Sequence, residues 1–368
     1  MNQPLLIRDV IDHLESVAPN QYQESYDNVG LITGYLKTEV SKILVTLDCT
    51  EDVVQEAITS GANLIVAHHP IVFKGLKKFT GSNYVERVVI LAIKNDIAIY
   101  AIHTSLDNVL DGVNRRICER IGLTNLKILQ PKVGVLSKLV TFVPGEKAGV
   151  VLDALYLAGA GQIGNYKNCS FTSEGTGTFK PTQKANPSVG GTNIQEFVRE
   201  SRIEVIFPTH LQSKITDALR RAHPYEEVAY YITPLLNDNQ EVGSGMTGEL
   251  IVPQEPLAFL EGLKYRMNVK VIRHTKVLDA PIKRVAVCGG AGSFLLVNAV
   301  NSGAQVFITS DFKYHEFFDA DGKIIIADIG HYESEEFTKE LLVDVLMKKF
   351  PTFAIIFSNT VTNPISYL

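Results

Sequence analysis

The chain has 368 residues, 45% of them hydrophobic and 20% charged, with a formal net charge of -5. That length exceeds one ordinary core and points to two or three domains. An acidic balance without a basic block argues against a nucleic-acid-binding surface. The four cysteines, Cys49, Cys118, Cys169 and Cys288, form no CxxC pair, so neither a zinc ribbon nor a disulfide framework is indicated and a reducing cytosol fits best. No stretch approaches the roughly 18 uninterrupted apolar residues of a membrane span.

In chain order, residues 1 to 17 carry Asp9, Asp12 and Glu15 at helical spacing and read as a first helix rather than a signal peptide. In SYDNVG, Tyr26, Asp27 and Asn28 either line a crevice or form an ordinary turn. Residues 42 to 65 read as strand, helix, strand, with Gly61 ending the helix. The same pattern recurs without a gap at residues 284 to 307, aligning Ile43 with Val285, Ala57 with Ala299 and Gly61 with Gly303. Each copy predicts a βαβ unit with parallel strands. A further apolar strand comes later in each half, DIAIYAIH in the first and KIIIADIGH in the second. The fold class is therefore α/β, with two similar halves built on buried, nearly continuous apolar strands.

Residues 127 to 245 have no counterpart in that repeat and contain one of their own. Leu139 to Pro144 lies over Ile203 to Pro208, and Asp153-Ala154-Leu155 over Asp217-Ala218-Leu219. With strands around residues 165 to 179 and a last strand EVAYYITPL, the order is βαββαβ, a ferredoxin-like α+β arrangement. The Gly/Ser/Thr/Asn/Pro-rich run from Ser173 to Asn193 reads as a long mobile loop. The expected organisation is an α/β half at 1 to 126, an inserted domain at 127 to 245 and a second half at 246 to 368 that packs with the first.

Open α/β sheets deliver functional groups at the carboxyl ends of their strands. The chemistry-bearing residues here fall at those ends. NLIVAHHP places His68 and His69 after one strand, HTSLDN places His103 and Asp107 after another, and GHYESE places His331 and Glu335 after a third. His103-x3-Asp107 corresponds to His331-x3-Glu335, and residues i and i+4 share a helical face. Neutral imidazole with carboxylate is a ligand set for zinc, iron or manganese, and without thiolates it points to an open site. Six such groups exceed one tetrahedral ion, which suggests two divalent ions roughly 3.5 to 4 Å apart, with Asp107 and Glu335 placed to bridge. Adjacent histidines can serve one site only if the backbone turns, and Pro70 makes that plausible.

Other polar groups carry weaker signals. Asp311, Lys313, His315 and Glu316 follow the strand aligned with that of His68; they either contact a substrate and act in acid-base chemistry or form a solvated helix start capped by Asp311. Cys288-Gly289-Gly290-Ala291-Gly292 hints at phosphate binding but misses the GxGxxG spacing. His210, His223 and Glu226 read as a polar helix end.

AHHPIVFKGLK, HTSLDN, TSDFKYHE, GHYESE and SYDNVG together resemble the signature segments of the GTP cyclohydrolase 1 type 2 homologues, also called NGG-interacting-factor-like proteins. The resemblance covers both outer segments. It implies that His68, His69, Asp107, His331 and Glu335 bind two metals, zinc first among the candidates, with His103 beside the site. It further implies a ring-shaped homohexamer, a CutA-like or PII-like insert and a bacterial cytoplasmic source. The family's name suggests attack of an activated water on a purine carbon, with His103 or His315 shuttling protons. Three functions follow as expectations: a metal-dependent hydrolase acting on GTP or a phosphoester; a metal-binding regulatory or scaffold assembly whose insert senses a small molecule or partner; and DNA binding through a ring cavity, which the acidic balance disfavours.

Overall fold

The computed structural model describes residues 4–368. In chain order it contains α1 (Ile7–Val17), β1 (Gly30–Thr33), β2 (Ile43–Thr46), α2 (Glu51–Ser60), β3 (Leu64–Ala67), α3 (Tyr84–Lys94), β4 (Ala98–Ala101), α4 (His103–Asp107), α5 (Val113–Ile121) and β5 (Thr124–Lys132). Next come β6 (Leu136–Pro144), α6 (Ala148–Ala158), β7 (Phe171–Phe179), β8 (Glu196–Pro208), α7 (Gln212–Ala222), β9 (Tyr230–Leu235) and β10 (Asn239–Gln254). The chain ends with α8 (Pro256–Arg266), β11 (Arg273–His274), β12 (Ile282–Ala291), α9 (Leu296–Asn301), β13 (Val306–Ser310), β14 (Ile325–Asp328), α10 (His331–Glu335), α11 (Thr338–Lys349) and β15 (Ile355–Phe357). The fold is thus mixed α/β with several sheets. No helix among the described residues is long and apolar enough to cross a membrane, and all four cysteines are free.

Two compact units emerge, one from residues 1–131 with 241–368 and one from residues 132–240. The first holds two sheets, ordered β1-β4-β3-β2-β15 and β11-β14-β13-β12-β10-β5. In one, β2, β3 and β4 run parallel, with Ile43 opposite Leu64 and Leu64 opposite Ala98. In the other, β12, β13 and β14 do the same, with Val285 opposite Val306 and Val306 opposite Ile325. In each sheet an antiparallel strand, β1 or β11, flanks the third parallel strand.

The sequence explains these elements directly. All four residues of β2, β3 and β4 are buried, as parallel strands covered on both faces require. Thr50 caps α2 by accepting from the Val53 amide, and Gly61 closes that helix at φ 74°, where a Cβ would be strained. Leu44, Ile65 and Ile99 of the sheet meet Val54, Ala57 and Val88 of α2 and α3 in one core. Ala286, Phe307 and Ile326 meet Leu295 and Ala299 in the other.

The second unit is one antiparallel sheet ordered β7-β8-β6-β9, with α6 and α7 on one face. Seven residues of the run expected to be a loop from 173 belong instead to β7, whose backbone pairs with β8 from Phe171 to Phe179. β7 falls within the strand expected around residues 165 to 179; the loop expectation overlapped it because Gly175 and Gly177 break the hydrophobic pattern, whereas backbone pairing needs no hydrophobic side chains.

His223 follows α7 and is buried. Its Nε2 donates to the Phe142 carbonyl at 2.9 Å and its Nδ1 accepts from the Tyr225 amide at 3.1 Å. Burial lowers its pKa below the ordinary 6.5, the fold holding the ring neutral. As pH falls, the unfolded chain therefore takes up this proton first, and stability present above about pH 6.5 is lost below it. Thermal melts from pH 7.5 to 5 should show the second unit losing stability, with a shallower slope in His223→Asn. In the first unit, Ile65→Ala should cost about 3 kcal/mol through the cavity it opens, measured by urea unfolding.

Candidate metal centre

Chain direction brings the site residues together. β3 ends at Ala67 and the chain bends at His68 and His69, which turns two adjacent imidazoles to one side with ring centroids 4.8 Å apart. The His68 and His69 amides still donate to Thr46 and Leu47 at the end of β2, so the bend is held. β4 and β14 each run into a single helical turn, α4 and α10, whose first and last residues are His103 with Asp107 and His331 with Glu335.

Glu335 is the hub. Its Oε2 lies 2.9 Å from His69 Nε2, 3.2 Å from His331 Nε2 and 3.9 Å from His68 Nε2. Asp107 Oδ1 lies 3.6 Å from His68 Nε2. His68, His69 and Glu335 each offer a ligand atom, all within 4.8 Å of one another. His103 stands beside them, 5.5 Å and 5.2 Å from the His68 and His69 rings. All six residues expected at strand ends are therefore gathered in one place.

Three imidazoles are oriented from behind by aspartates. His69 Nδ1 pairs with Asp48 at 2.8 Å, His103 Nδ1 with Asp27 at 2.7 Å and His331 Nδ1 with Asp311 at 2.6 Å. Asp27 also accepts from the Thr104 amide and hydroxyl, and Asp48 from the Thr362 hydroxyl. Such partners fix ring orientation and leave Nε2 aimed inward. Asp311 thus does not cap a helix; Lys313 and Glu316 occupy the start of the 3-10 turn at Tyr314–Ala320. His315, on that turn, is exposed and does not line the cleft. Asp48 was missed by sequence reading, although its place just beyond β2 is the same strand-end signal that found the others.

The electrostatics follow from this packing. Burial works to lower His69 and His331, but hydrogen bonds to Asp48 and Glu335, and to Asp311 and Glu335, carry them up to about 10 and about 11. Burial brings His68 down to about 4. Burial and the neighbouring Glu335 charge raise Asp107, whereas the surrounding imidazoles overcome burial and hold Glu335 low. Both ring nitrogens of His68 and Oδ1 of Asp107 are buried without a hydrogen-bond partner. Leaving such atoms unpaired costs about 1–3 kcal/mol each. A divalent cation held by His68 Nε2 and Asp107 Oδ1 would remove the cost for those two atoms, so the donor set fits a metal.

The glycine segment at the end of β12 packs against this centre. The Gly289 amide donates to Asn114 and the Gly290 amide to Ser334. A Cβ on Gly290, at φ +63°, would lie 2.4 Å from Glu335 Oε1. Around the centre is a cleft of about 640 Å³ whose walls include Tyr26, Ile71, Phe73 and Phe294 and no Lys or Arg.

The sequence profile of the Duf34/NIF3 (NGG1p interacting factor 3) family matches residues 5–364. The chain belongs to this family. Among NIF3 relatives, the GTP cyclohydrolase 1 type 2 homolog of Halalkalibacterium halodurans is 38% identical over 365 residues, 98% of each chain. That of Bacillus subtilis is 36% identical over 367 residues, again 98% of each. A solved Bacillus cereus protein related to NIF3 superposes with a TM-score of 0.87 at 38% identity, covering 100% of both chains.

Gly290→Ala should push Glu335 out of its contacts. Equilibrium dialysis against zinc should show uptake falling sharply, with far-ultraviolet circular dichroism unchanged.

Proposed function

We propose that this NIF3-family chain is a dinuclear metal-dependent hydrolase. His68, His69, Asp107, His331 and Glu335 would hold two divalent ions, zinc first and iron or manganese next. The observation that carries this reading is the set of buried, unpartnered donor atoms on His68 and Asp107 facing Glu335. Bound there, the ions would supply Lewis acidity and lower the pKa of water.

The chain's own residues supply the rest. Asp27 holds His103 by Nδ1, and His103 lines the cleft, so this ring is placed to take or give a proton through Nε2. Of the two histidines expected to carry protons, the role is assigned to His103, because His315 lies outside the cleft wall. The Phe73 ring packs edge-on against His103 at 5.6 Å and steadies it. Apolar walls and the lack of Lys or Arg suit a flat ring inside the cleft better than a polyphosphate tail. Cyclohydrolase chemistry on a purine-like ring, as the name of the relatives suggests, fits these walls better than phosphoester hydrolysis.

The same reading includes an architecture of two pseudo-symmetric α/β halves, at 1 to 126 and 246 to 368, with a ferredoxin-like, CutA- or PII-like insert at 127 to 245. It also includes a cytoplasmic homohexamer. The parallel triplets β2-β3-β4 and β12-β13-β14, each flanked by an antiparallel strand, support the first point. A second function, a metal-binding assembly that senses a small molecule through its insert, is favoured by a cavity within residues 132–240.

Protein loaded with zinc, manganese or iron should turn over GTP or a simpler purine or phosphoester substrate at a rate abolished by Asp107→Ala. His103→Gln should lower kcat by about 100-fold while metal stoichiometry stays intact. If no metal gives a rate that depends on Asp107, the hydrolase reading is rejected. Asp48→Asn and Asp311→Asn should each weaken metal binding about 10–100-fold in chelator competition.

A further inference from the structure

The second unit has a built cavity that the metal centre does not use. Strand alternation divides its sheet: Leu139, Val143, Ile203 and Val205 face the helices, leaving Phe142, Glu200, Arg202 and Tyr231 on the opposite face. Together with the chain that follows β7, including Pro181 and Pro187, that face encloses about 670 Å³.

Glu200 is the unusual member. It is 7% exposed, and Tyr225 Oη donates to its Oε1 at 2.9 Å. Among the described residues no Lys or Arg lies within ion-pair distance of it: Arg202 pairs with Glu204 at 2.8 Å, and Arg199 with Glu174 at 3.1 Å. Gly177 makes the room, since a Cβ there would sit 2.0 Å from Glu200 Oε2. A buried carboxylate whose neighbours are the Tyr225 hydroxyl and the neutral His223 ring is costly unless an opposite charge arrives.

Aromatic rings surround it. Phe142 and Tyr231 meet edge-to-face at 6.0 Å, and Phe179 and Tyr225 lie 6.0 Å apart. Glu174, Glu226 and Glu227 also line the cavity, against Lys180 and Arg202, the latter paired with Glu204. Carboxylate and aromatic faces together attract organic cations, through charge and through the ring quadrupole.

We propose that this cavity binds a small organic ammonium or guanidinium ion, its charged head against Glu200 and its carbon portion against the rings of Phe142, Phe179, Tyr225 and Tyr231. The proposal deepens the sensing function given above and needs no turnover at the metal centre.

Isothermal titration calorimetry of the full chain with tetramethylammonium and with agmatine tests it. Saturable binding of at least one is expected, weakened about tenfold or more by Glu200→Gln and by Tyr231→Ala, one decade being about 1.4 kcal/mol. Tyr231 is 62% exposed, so its truncation leaves the fold intact even if Glu200→Gln does not. Zinc uptake should be unchanged in both variants, which separates failure of this site from failure of the metal centre. Absence of saturable binding by both cations, binding indifferent to Tyr231→Ala, or tighter binding of ATP than of either cation would overturn the proposal.

Discussion

The first unit is organised around one buried carboxylate. Glu335, with a side chain only 3% exposed, stands among the Nε2 atoms of His68, His69 and His331. A charge so placed is tolerable only while its partners stay within reach. Those partners come from the ends of β3 and β14, strands of different sheets. The carboxylate therefore imposes a positional requirement on both sheets at once, and Gly290, pressed against it, shows how little slack remains.

The aspartates behind the imidazoles extend that requirement outward. Asp27 comes from the loop before β1, Asp48 from beyond β2 and Asp311 from beyond β13, so each ring is clamped by a segment other than its own. Two residues of these pairs, His103 at φ 29° and Asp311 at φ 59°, occupy the left-handed region. Such backbone strain persists only where surrounding contacts over-determine it, and it gathers at functional sites.

Much of this was legible beforehand because the relevant rules are local. The i, i+4 spacing of His103 with Asp107 and of His331 with Glu335 survives as two single-turn helices, and the repeat at Ile43 and Val285 survives as two parallel βαβ units. What escaped depended on distance. Asp48 stands at a strand end like the other site residues, but its pairing with His69 shows only in space, and the role of Gly290 is visible only once Glu335 lies beside it. His315 illustrates the converse: it is chemically suitable and near other polar residues in sequence, yet the 3-10 turn carries it outward. The strand expected around residues 165 to 179 is found as β7, and only the overlapping loop expectation from Ser173 starts too early, because glycine and threonine give no hydrophobic period even when the backbone forms a full ladder.

The sheet edges explain how the centre keeps its geometry. The last strand, β15, joins the first sheet beside β2, with Ile355 opposite Ile43. β5, from the first segment of the chain, joins the second sheet beside β10. Each sheet thus contains a strand from the other part of the sequence, a placement that short apolar runs such as IIF cannot reveal on their own. Pulling the two sheets apart would break ladder hydrogen bonds or the connections that lead to these strands. The tail after β15 adds a tie of the same kind: Ser358, Asn359 and Thr360 all donate to Glu56 of α2, and Thr362 donates to Asp48. The end of the chain thereby helps to hold the aspartate that orients His69. A centre assembled from strand ends of two sheets needs that kind of fixed relation, because a shift of about 1 Å between them would separate Glu335 from its imidazoles.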